Sequence, residues 1–298
     1  MKKLFLLSIC LHGITFLFGQ KIDNKLQNKV EEAIQGFKGD IGIYVKNLRT
    51  GKTVSINVDT VFPTASIVKV PILLGIMDKI HKGELAYDSA LVYKDSLLYE
   101  GEDILGSFRN DEKILLKKVM MLMLTTSDNT ASLWLQSLAG KGTRINEILD
   151  SLGLVYTRVN SRTPGRESNR TQYGWGQTTP KEMGLIFEKI YRNEIFSAAA
   201  CDRMMRSLGR NYWDLNEAIS QIPPYIEVFS KNGCVNAVRS EVLLVNAPHN
   251  PYIFCIFTKN NKDTQWTHNN EAWTLARKIS FMLWRYFEPK DKWEPPVK

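Results

Sequence analysis

The sequence predicts an α+β protein whose antiparallel sheet is built from both chain ends. Strand-like runs occur near residues 42–58 and again at 225–258, while apolar residues recur at helical spacing in the middle of the chain. Strands from the two ends are expected to pair in one sheet flanked by helices. We expect an α/β lobe of residues 21–62 and 221–298, a mostly helical lobe of residues 63–220, and a ligand cleft between them.

Local patterns assign the strands and helices of these regions. IGIYVKNL and VSINV flank a turn, RTGK at 49–52, which predicts a β-hairpin. ILLKKVMMLML and PKEMGLIFEKIYRN have apolar residues every three to four positions, which predicts helices, and Thr179–Pro180 suits the start of the second. Three more strands and a last amphipathic helix are predicted at 225–230, 240–246, 252–258 and about 269–287.

The first residues have the parts of a secretory signal peptide, predicted over residues 1–20. Lys2 and Lys3 form a basic start, and an apolar run follows from Leu4 to Phe18. An uncleaved membrane anchor is the alternative, but this run has 15 residues, whereas a membrane-spanning helix needs about 20. We therefore expect a secreted or periplasmic protein without stable membrane insertion after cleavage.

Composition and charge exclude several classes of partner. The 298 residues are 44% hydrophobic and 23% charged, and losing the two signal lysines lowers the formal charge from +8 to +6. The basic residues are scattered and not interleaved with aromatic residues, so we expect no nucleic-acid partner. Neither cysteines nor histidines have the spacing of a metal site, and three mature cysteines leave at least one unpaired. We expect a monomer.

One short motif could supply a nucleophile and its base. In TASIVKVPILLG (64–75), Pro63–Thr64 predicts a helix start, which places Ser66 and Lys69 on one face of the first turn. An amine one turn away can activate a serine hydroxyl. The motif alone proves little, because about one Ser-x-x-Lys is expected by chance in a chain of this length.

Two further motifs each have a structural and a functional interpretation. In MLTTSDNTASLWL (123–135), the triplet from Ser127 to Asn129 suits the N-cap of a helix, and a cap residue can also present its hydroxyl at a lobe edge. In EVFSKNGCVNAVRSEVLLV (227–245), Asn232–Gly233 taken alone favours a hairpin turn. The alternative places Lys231 on a strand edge beside the cleft.

Together, and in this order, the three motifs resemble those of the penicillin-recognising serine hydrolases, and most of all class A β-lactamases. That family's set is S-x-x-K, S-D-N and K-T-G. The resemblance runs from about residue 40 to the C-terminal helix, and includes FPTAS before the serine and TTP before a helix. It implies a serine β-lactamase that hydrolyses β-lactam antibiotics through an acyl-enzyme on Ser66, without a metal or organic cofactor.

The resemblance also implies individual roles. Ser66 would be the nucleophile, Lys69 its proton acceptor or relay, and Ser127 the donor of a proton to the departing nitrogen. The oxyanion would be bound by the backbone N–H groups of Ser66 and Cys234. In the third motif, this sequence has Asn232 at the position where the family has threonine or serine. Substrate-binding roles are implied for Asn129, Lys231, Asn232, Gly233, Cys234 and Arg239.

The loop SRTPGRESNRTQYGWGQTTP (161–180) departs from the family. Counting from the motifs, the family's water-activating glutamate falls on Thr163, which cannot act as a base, and Pro164 matches the proline that follows. Glu167 is one helical turn further and could reach the same water. Our hypothesis is that Glu167 is the base for hydrolysis of the acyl-enzyme, and the alternative is a solvated loop acid.

Other acyl-transfer activities stay open at this point. A D,D-peptidase, an esterase or a slow-turnover penicillin-binding protein would also suit the missing glutamate at Thr163. A penicillin sensor that is acylated once would need a membrane link, and no segment after the predicted signal peptide has the pattern of a spanning helix.

Overall fold

The structure, a computed structural model, describes residues 21–296 except 102, 210, 214 and 215, so the predicted signal peptide lies outside the described residues. The helices are α1 (Asn24–Ala33), α2 (Lys69–His81), α3 (Leu116–Thr125), α4 (Asn129–Leu138), α5 (Lys141–Ser151), α6 (Glu167–Tyr173), α7 (Pro180–Tyr191), α8 (Ala198–Leu208) and α9 (Glu271–Phe287). The strands are β1 (Asp40–Asn47), β2 (Thr53–Ile56), β3 (Phe62–Pro63), β4 (Ala90–Val92), β5 (Lys113–Leu115), β6 (Arg158–Val159), β7 (Gly176–Thr178), β8 (Val228–Val235), β9 (Val238–Val245) and β10 (Tyr252–Lys259).

The main sheet is antiparallel and joins both chain ends, which confirms the predicted α+β fold. Its strand order is β2-β1-β10-β9-β8. Alternate residues of its strands face two different hydrophobic layers. Ile43 and Phe254 pack with α1 and α9, while Tyr44 and Phe257 pack with the helices on the other face of the sheet. Because both faces are covered, the strands contain continuous apolar runs.

The outer strand β8 positions the site. It pairs with β9 on one side only, and its other edge lies against a 3-10 turn at Ala65–Val68, which precedes α2. The edge of the sheet therefore meets the start of the helical region.

No helix in the stretch that the structure describes has the length and apolar character required to cross a bilayer.

The middle of the chain is mostly helical, as predicted, and it also contains short strands: β3, β7 and β6 form a small sheet, and β4 pairs with β5. One prediction of local structure was wrong in part. The strand predicted at 225–230 begins at Val228 and continues through Asn232–Gly233, so that pair is not a turn. The turn lies at Asn236–Ala237, where Asn236 has φ +43°, a conformation that asparagine tolerates.

Candidate active site

Ser66 lies in a strained turn between the main sheet and α2. The 3-10 turn Ala65–Val68 leads directly into the helix, as the Pro63–Thr64 pattern predicted. Ala65 has φ +43°, a left-handed conformation that costs free energy for a residue with a side chain. The Thr64 N–H donates to the Gly176 carbonyl at 3.0 Å, which ties the turn to β7. Such strain persists only where surrounding contacts hold it in place.

Lys69 begins α2 with a fully buried side chain, and its amine contacts two serine hydroxyls. Nζ lies 3.1 Å from Ser66 Oγ and 3.0 Å from Ser127 Oγ. It also lies 2.9 Å from Asn129 Oδ1, and it donates to the Ser127 carbonyl. An ammonium has three N–H donors, so four oxygens more than satisfy the buried charge. In the neutral form, Nζ can instead accept a proton from one of the hydroxyls.

The S-D-N motif turns Ser127 towards Lys69. Asp128 is the N-cap of α4, where its Oδ1 accepts the Ala131 N–H at 2.7 Å and its Oδ2 accepts two backbone N–H groups of residues 104–105. Ser127 has φ +61°, so the chain reverses just before the helix. The N-cap interpretation is therefore correct for Asp128, and the cap holds its two neighbours in contact with Lys69.

The third motif lies along β8 beside the nucleophile. Lys231 is fully buried, and its Nζ donates to the carbonyl and to Oδ1 of Asn232, both at 2.9 Å. Gly233 is pressed against the turn that carries Ser66: a Cβ added to it would lie 2.3 Å from the Thr64 carbonyl oxygen and 3.0 Å from Ser66 N. The structure thus brings the first and third motifs together through backbone contact.

We expect the Gly233→Ala variant to fold but to lose about 10²-fold in kcat/KM, because a displacement of about 1 Å in an active site has effects of that size. The added methyl group would meet backbone atoms of Thr64 and Ser66, which cannot rotate away, so β8 must separate from the nucleophile turn. Steady-state kinetics and circular dichroism would test this. Gly209→Ala is the matched control, because a Cβ there meets nothing nearer than 3.5 Å. Full activity in the Gly233 variant would contradict the expected contact.

Arg239 supports the end of the sheet in this structure. It is 2% exposed, and its guanidinium lies 4.2 Å and 4.8 Å from the ring centroids of Trp266 and Trp273. Its two terminal nitrogens donate to four backbone carbonyls of the β8–β9 turn and of residues 264–265. The structure does not bring it into the Lys69 cluster, and its contact with a substrate carboxylate stays a prediction.

Thr163, at the position of the family's glutamate, faces α5. Its Oγ1 donates to the carbonyls of Val159 and Ser161 at 3.1 and 2.9 Å. A Cβ added to Gly142 of α5 would lie only 1.7 Å from this hydroxyl, so the side chain fills the space beside that helix. Thr163 therefore has a packing role in its own loop.

Glu167 is exposed at the start of α6. Its Oε1 accepts the Gly165 N–H at 3.2 Å, and its side chain lines a groove with Gln136 and Lys141. None of the hydrogen bonds found for Glu167 among the described residues involves Ser66, Lys69 or Ser127. The structure does not bring Glu167 into the cluster around Lys69, and its role as a base stays a prediction.

A buried glutamate that the sequence patterns did not indicate contacts two side chains of β8. Glu217 is 3% exposed, and its Oε1 accepts the Asn232 Nδ2–H at 3.0 Å and contacts Cys234 Sγ at 3.6 Å. Burial raises the pKa of Glu217 to about 7, although Asn232, Cys234 and the charges of Lys231 and Arg239 lower it. The residue belongs to no motif, and no periodicity distinguishes it from a surface acid.

Cys234 has a thiol of low reactivity. Burial and the nearby Glu217 carboxylate raise the pKa of this thiol well above its usual range, so it remains protonated. Cys201 and Cys255 are also free thiols. Within the described ranges, no group of three or more His, Cys, Asp or Glu side chains could hold a metal ion.

Comparisons with known proteins agree on one family and one fold. The model of the β-lactamase enzyme family matches residues 25–287. β-Lactamase VEB-1 of Pseudomonas aeruginosa is 22% identical over 284 residues, which cover 92% of this chain and 94% of that protein. The TLA-1 extended-spectrum β-lactamase has a TM-score of 0.78 at 17% identity, covering 88% of this chain and 98% of that one. A mutant of PBP-A, solved as an acyl-enzyme complex with penicillin G, has a TM-score of 0.78 at 23% identity, covering 91% of this chain and 98% of that one.

Proposed function

The chain belongs to the β-lactamase enzyme family and is a serine hydrolase of that family, and we propose that it hydrolyses β-lactams through an acyl-enzyme on Ser66. One observation carries the assignment of residues: the buried Lys69 amine lies within hydrogen-bond distance of the Ser66 and Ser127 hydroxyls. A nucleophile and a proton donor that both contact one proton acceptor are the parts that acyl transfer requires.

Acylation uses these three side chains in sequence. Ser66 Oγ attacks the lactam carbonyl carbon while its proton passes to Lys69 Nζ, 3.1 Å away. The C–N bond of the ring then breaks, and Ser127 Oγ gives its proton to the departing nitrogen. Lys69 Nζ, 3.0 Å from Ser127 Oγ, returns a proton to that hydroxyl. The cycle conserves protons and leaves an ester on Ser66.

Groups of β8 would stabilise and orient the substrate. The backbone N–H groups of Ser66 and Cys234 are our candidates for the oxyanion hole, because β8 lies against the turn that carries Ser66. Lys231 would attract the substrate carboxylate, with Asn232 beside it. Asn129, which contacts Lys69, would bind the amide side chain of the substrate.

Hydrolysis of the ester needs a base, and Glu167 is the only acid among loop residues 161–177. To act, its carboxylate would have to leave the Gly165 N–H and approach Ser66 when the acyl-enzyme forms. On this proposal, Glu167→Gln keeps acylation intact and slows hydrolysis by about 10² or more, the usual contribution of a general base. Mass spectrometry would then find a persistent adduct. Unchanged turnover would remove Glu167 from the mechanism.

A slow-releasing penicillin-binding protein, including a D,D-peptidase, is the second candidate. It is favoured by the exposed position of Glu167 and by Thr163, whose hydroxyl faces α5. Product formed per enzyme from a chromogenic lactam separates the two: many turnovers identify the hydrolase, and one stoichiometric burst identifies slow release. Cleavage of a D-Ala-D-Ala peptide without lactam turnover would establish the peptidase.

We propose that the mature protein is exported to the periplasm or the medium and acts as a monomer. The basic start and apolar run of residues 1–20 support export. The mass of the protein recovered outside the cytoplasm would show whether that segment is removed, and size-exclusion chromatography would give the oligomeric state.

A further inference from the structure

A carboxylate, an amide and an ammonium form a hydrogen-bonded chain at the β8 edge of the main sheet. Glu217 Oε1 accepts the Asn232 Nδ2–H at 3.0 Å, and Asn232 Oδ1 accepts a hydrogen from Lys231 Nζ at 2.9 Å. All three side chains are buried, with Glu217 3%, Asn232 7% and Lys231 0% exposed. The carboxylate thus fixes which end of the amide faces Lys231.

Burying the Glu217 carboxylate costs solvation free energy, and a purely structural contact would not require that cost. A buried glutamate loses the solvation of its charge, and a neutral side chain of the same shape could accept the same Asn232 N–H. Glu217 also brings a negative charge to the place where Lys231 would attract an anionic substrate. These two facts point to a role in substrate binding.

We propose that Glu217 is a positioning residue that orients the Asn232 amide and, by its charge, controls how strongly Lys231 attracts an anionic substrate. This inference rests on the proposed function of the site. When Glu217 is ionised, its charge offsets that of Lys231 and repels a substrate carboxylate. When Glu217 is protonated, the positive charge of Lys231 acts on the substrate without this opposition.

The charges around Glu217 decide where it ionises. Lys231 of β8 and Arg239 of β9 favour the ionised form, and Arg277 of α9 donates to the carbonyl of the neighbouring Asn216. Three other titratable groups contact residues 216–219. Cys234 of β8 contacts Glu217 itself, and Glu241 of β9 accepts the Ala218 and Ile219 N–H groups. His268 contacts Asn216. Burial outweighs the favourable charges and brings the pKa of Glu217 to about 7.

The test compares Glu217→Gln with the wild type over pH 5–9 on two substrates, a chromogenic lactam with a free carboxylate and its methyl ester. For the anionic substrate, we expect the wild-type kcat/KM to fall about tenfold relative to that of the variant as the pH rises through 7. Glu217 is then ionised, and its negative charge repels the substrate carboxylate. The ester should show no such difference. The glutamine side chain of the variant keeps an acceptor for the Asn232 N–H, so we expect the variant to fold and its activity to differ from that of the wild type in pH dependence.

Glu288→Gln is the matched control. Glu288 is 6% exposed, and it accepts the His249 and Asn250 N–H groups away from β8. This variant should retain the wild-type pH profile. A structural role for Glu217 would change kcat/KM equally at all pH values and for both substrates.

Two outcomes overturn the inference: parallel pH profiles of wild type and Glu217→Gln, or the same pH effect on the ester. The affinity for the ring-opened product acid at pH 6 and 8, measured by calorimetry, gives a readout without acylation. It should weaken about tenfold in the wild type only. If no covalent adduct forms in the wild type, the proposed function fails, and this binding measurement still decides the role of Glu217.

Discussion

We expect Ser66→Ala to lose at least about 10³-fold in kcat/KM towards a chromogenic β-lactam and to form no covalent adduct. The alanine side chain should preserve the strained turn, and it lacks the oxygen that becomes acylated in the proposed mechanism. The hydroxyl is 3.1 Å from Lys69 Nζ, so its loss also removes the first proton transfer. Stopped-flow absorbance and mass spectrometry of the intact protein would measure the two effects separately.

Ser132→Ala is the control for this substitution. Ser132 is a buried serine on α4 whose Oγ has no hydrogen-bond partner in the structure, so its removal should leave turnover unchanged. Adduct formation in the Ser66 variant would place the nucleophile elsewhere. That result would contradict the assignment of the whole cluster.

The stability of the protein should fall between about pH 4.5 and pH 7 because of Glu217. Its pKa is about 7 in the folded protein, against an ordinary value of 4.5, so the folded state binds a proton more tightly than the unfolded chain. The free energy of unfolding therefore decreases as the pH rises through this window. At pH 8 this decrease in the free energy of unfolding is complete, and it amounts to about 3 kcal/mol at 1.4 kcal/mol per pKa unit.

Glu217→Gln removes the ionisable group and should abolish this loss. We expect the variant to exceed the wild type by up to about 3 kcal/mol in free energy of unfolding at pH 8, and to match it near pH 4.5. Urea denaturation at the two pH values measures the difference. An equal stability change at both pH values would show that Glu217 is not protonated on folding. Glu288→Gln should give no gain at pH 8.

Local patterns in the sequence predicted much of the protein. The five strands of the main sheet, the helix at Pro180 and the start of α2 were recognisable because side-chain alternation and capping preferences depend on near neighbours along the chain. The pairing of Ser66 with Lys69 followed from the same cause, since residues three apart share a helix face. An N-cap within the triplet from Ser127 to Asn129 was also predictable from its place before an apolar run, whereas its assignment to Asp128 came from the structure.

The position of the third motif could not be decided locally. Asn232–Gly233 has the composition of a hairpin turn, yet it lies in the middle of β8. The glycine is required there because the strand approaches the Thr64 carbonyl from a distant part of the chain. Nearest-neighbour preferences contain no information about that contact.

The helices, the strands and the order of the three motifs could be predicted from spacing along the chain, and the resemblance to a known family supplied the roles expected of their residues. Only the tertiary structure decided that Thr163 faces α5, that Glu167 is exposed, and that Glu217 is buried against Asn232. Burial and charge interactions join residues far apart in sequence, and they set the protonation of a carboxylate that no local pattern distinguishes.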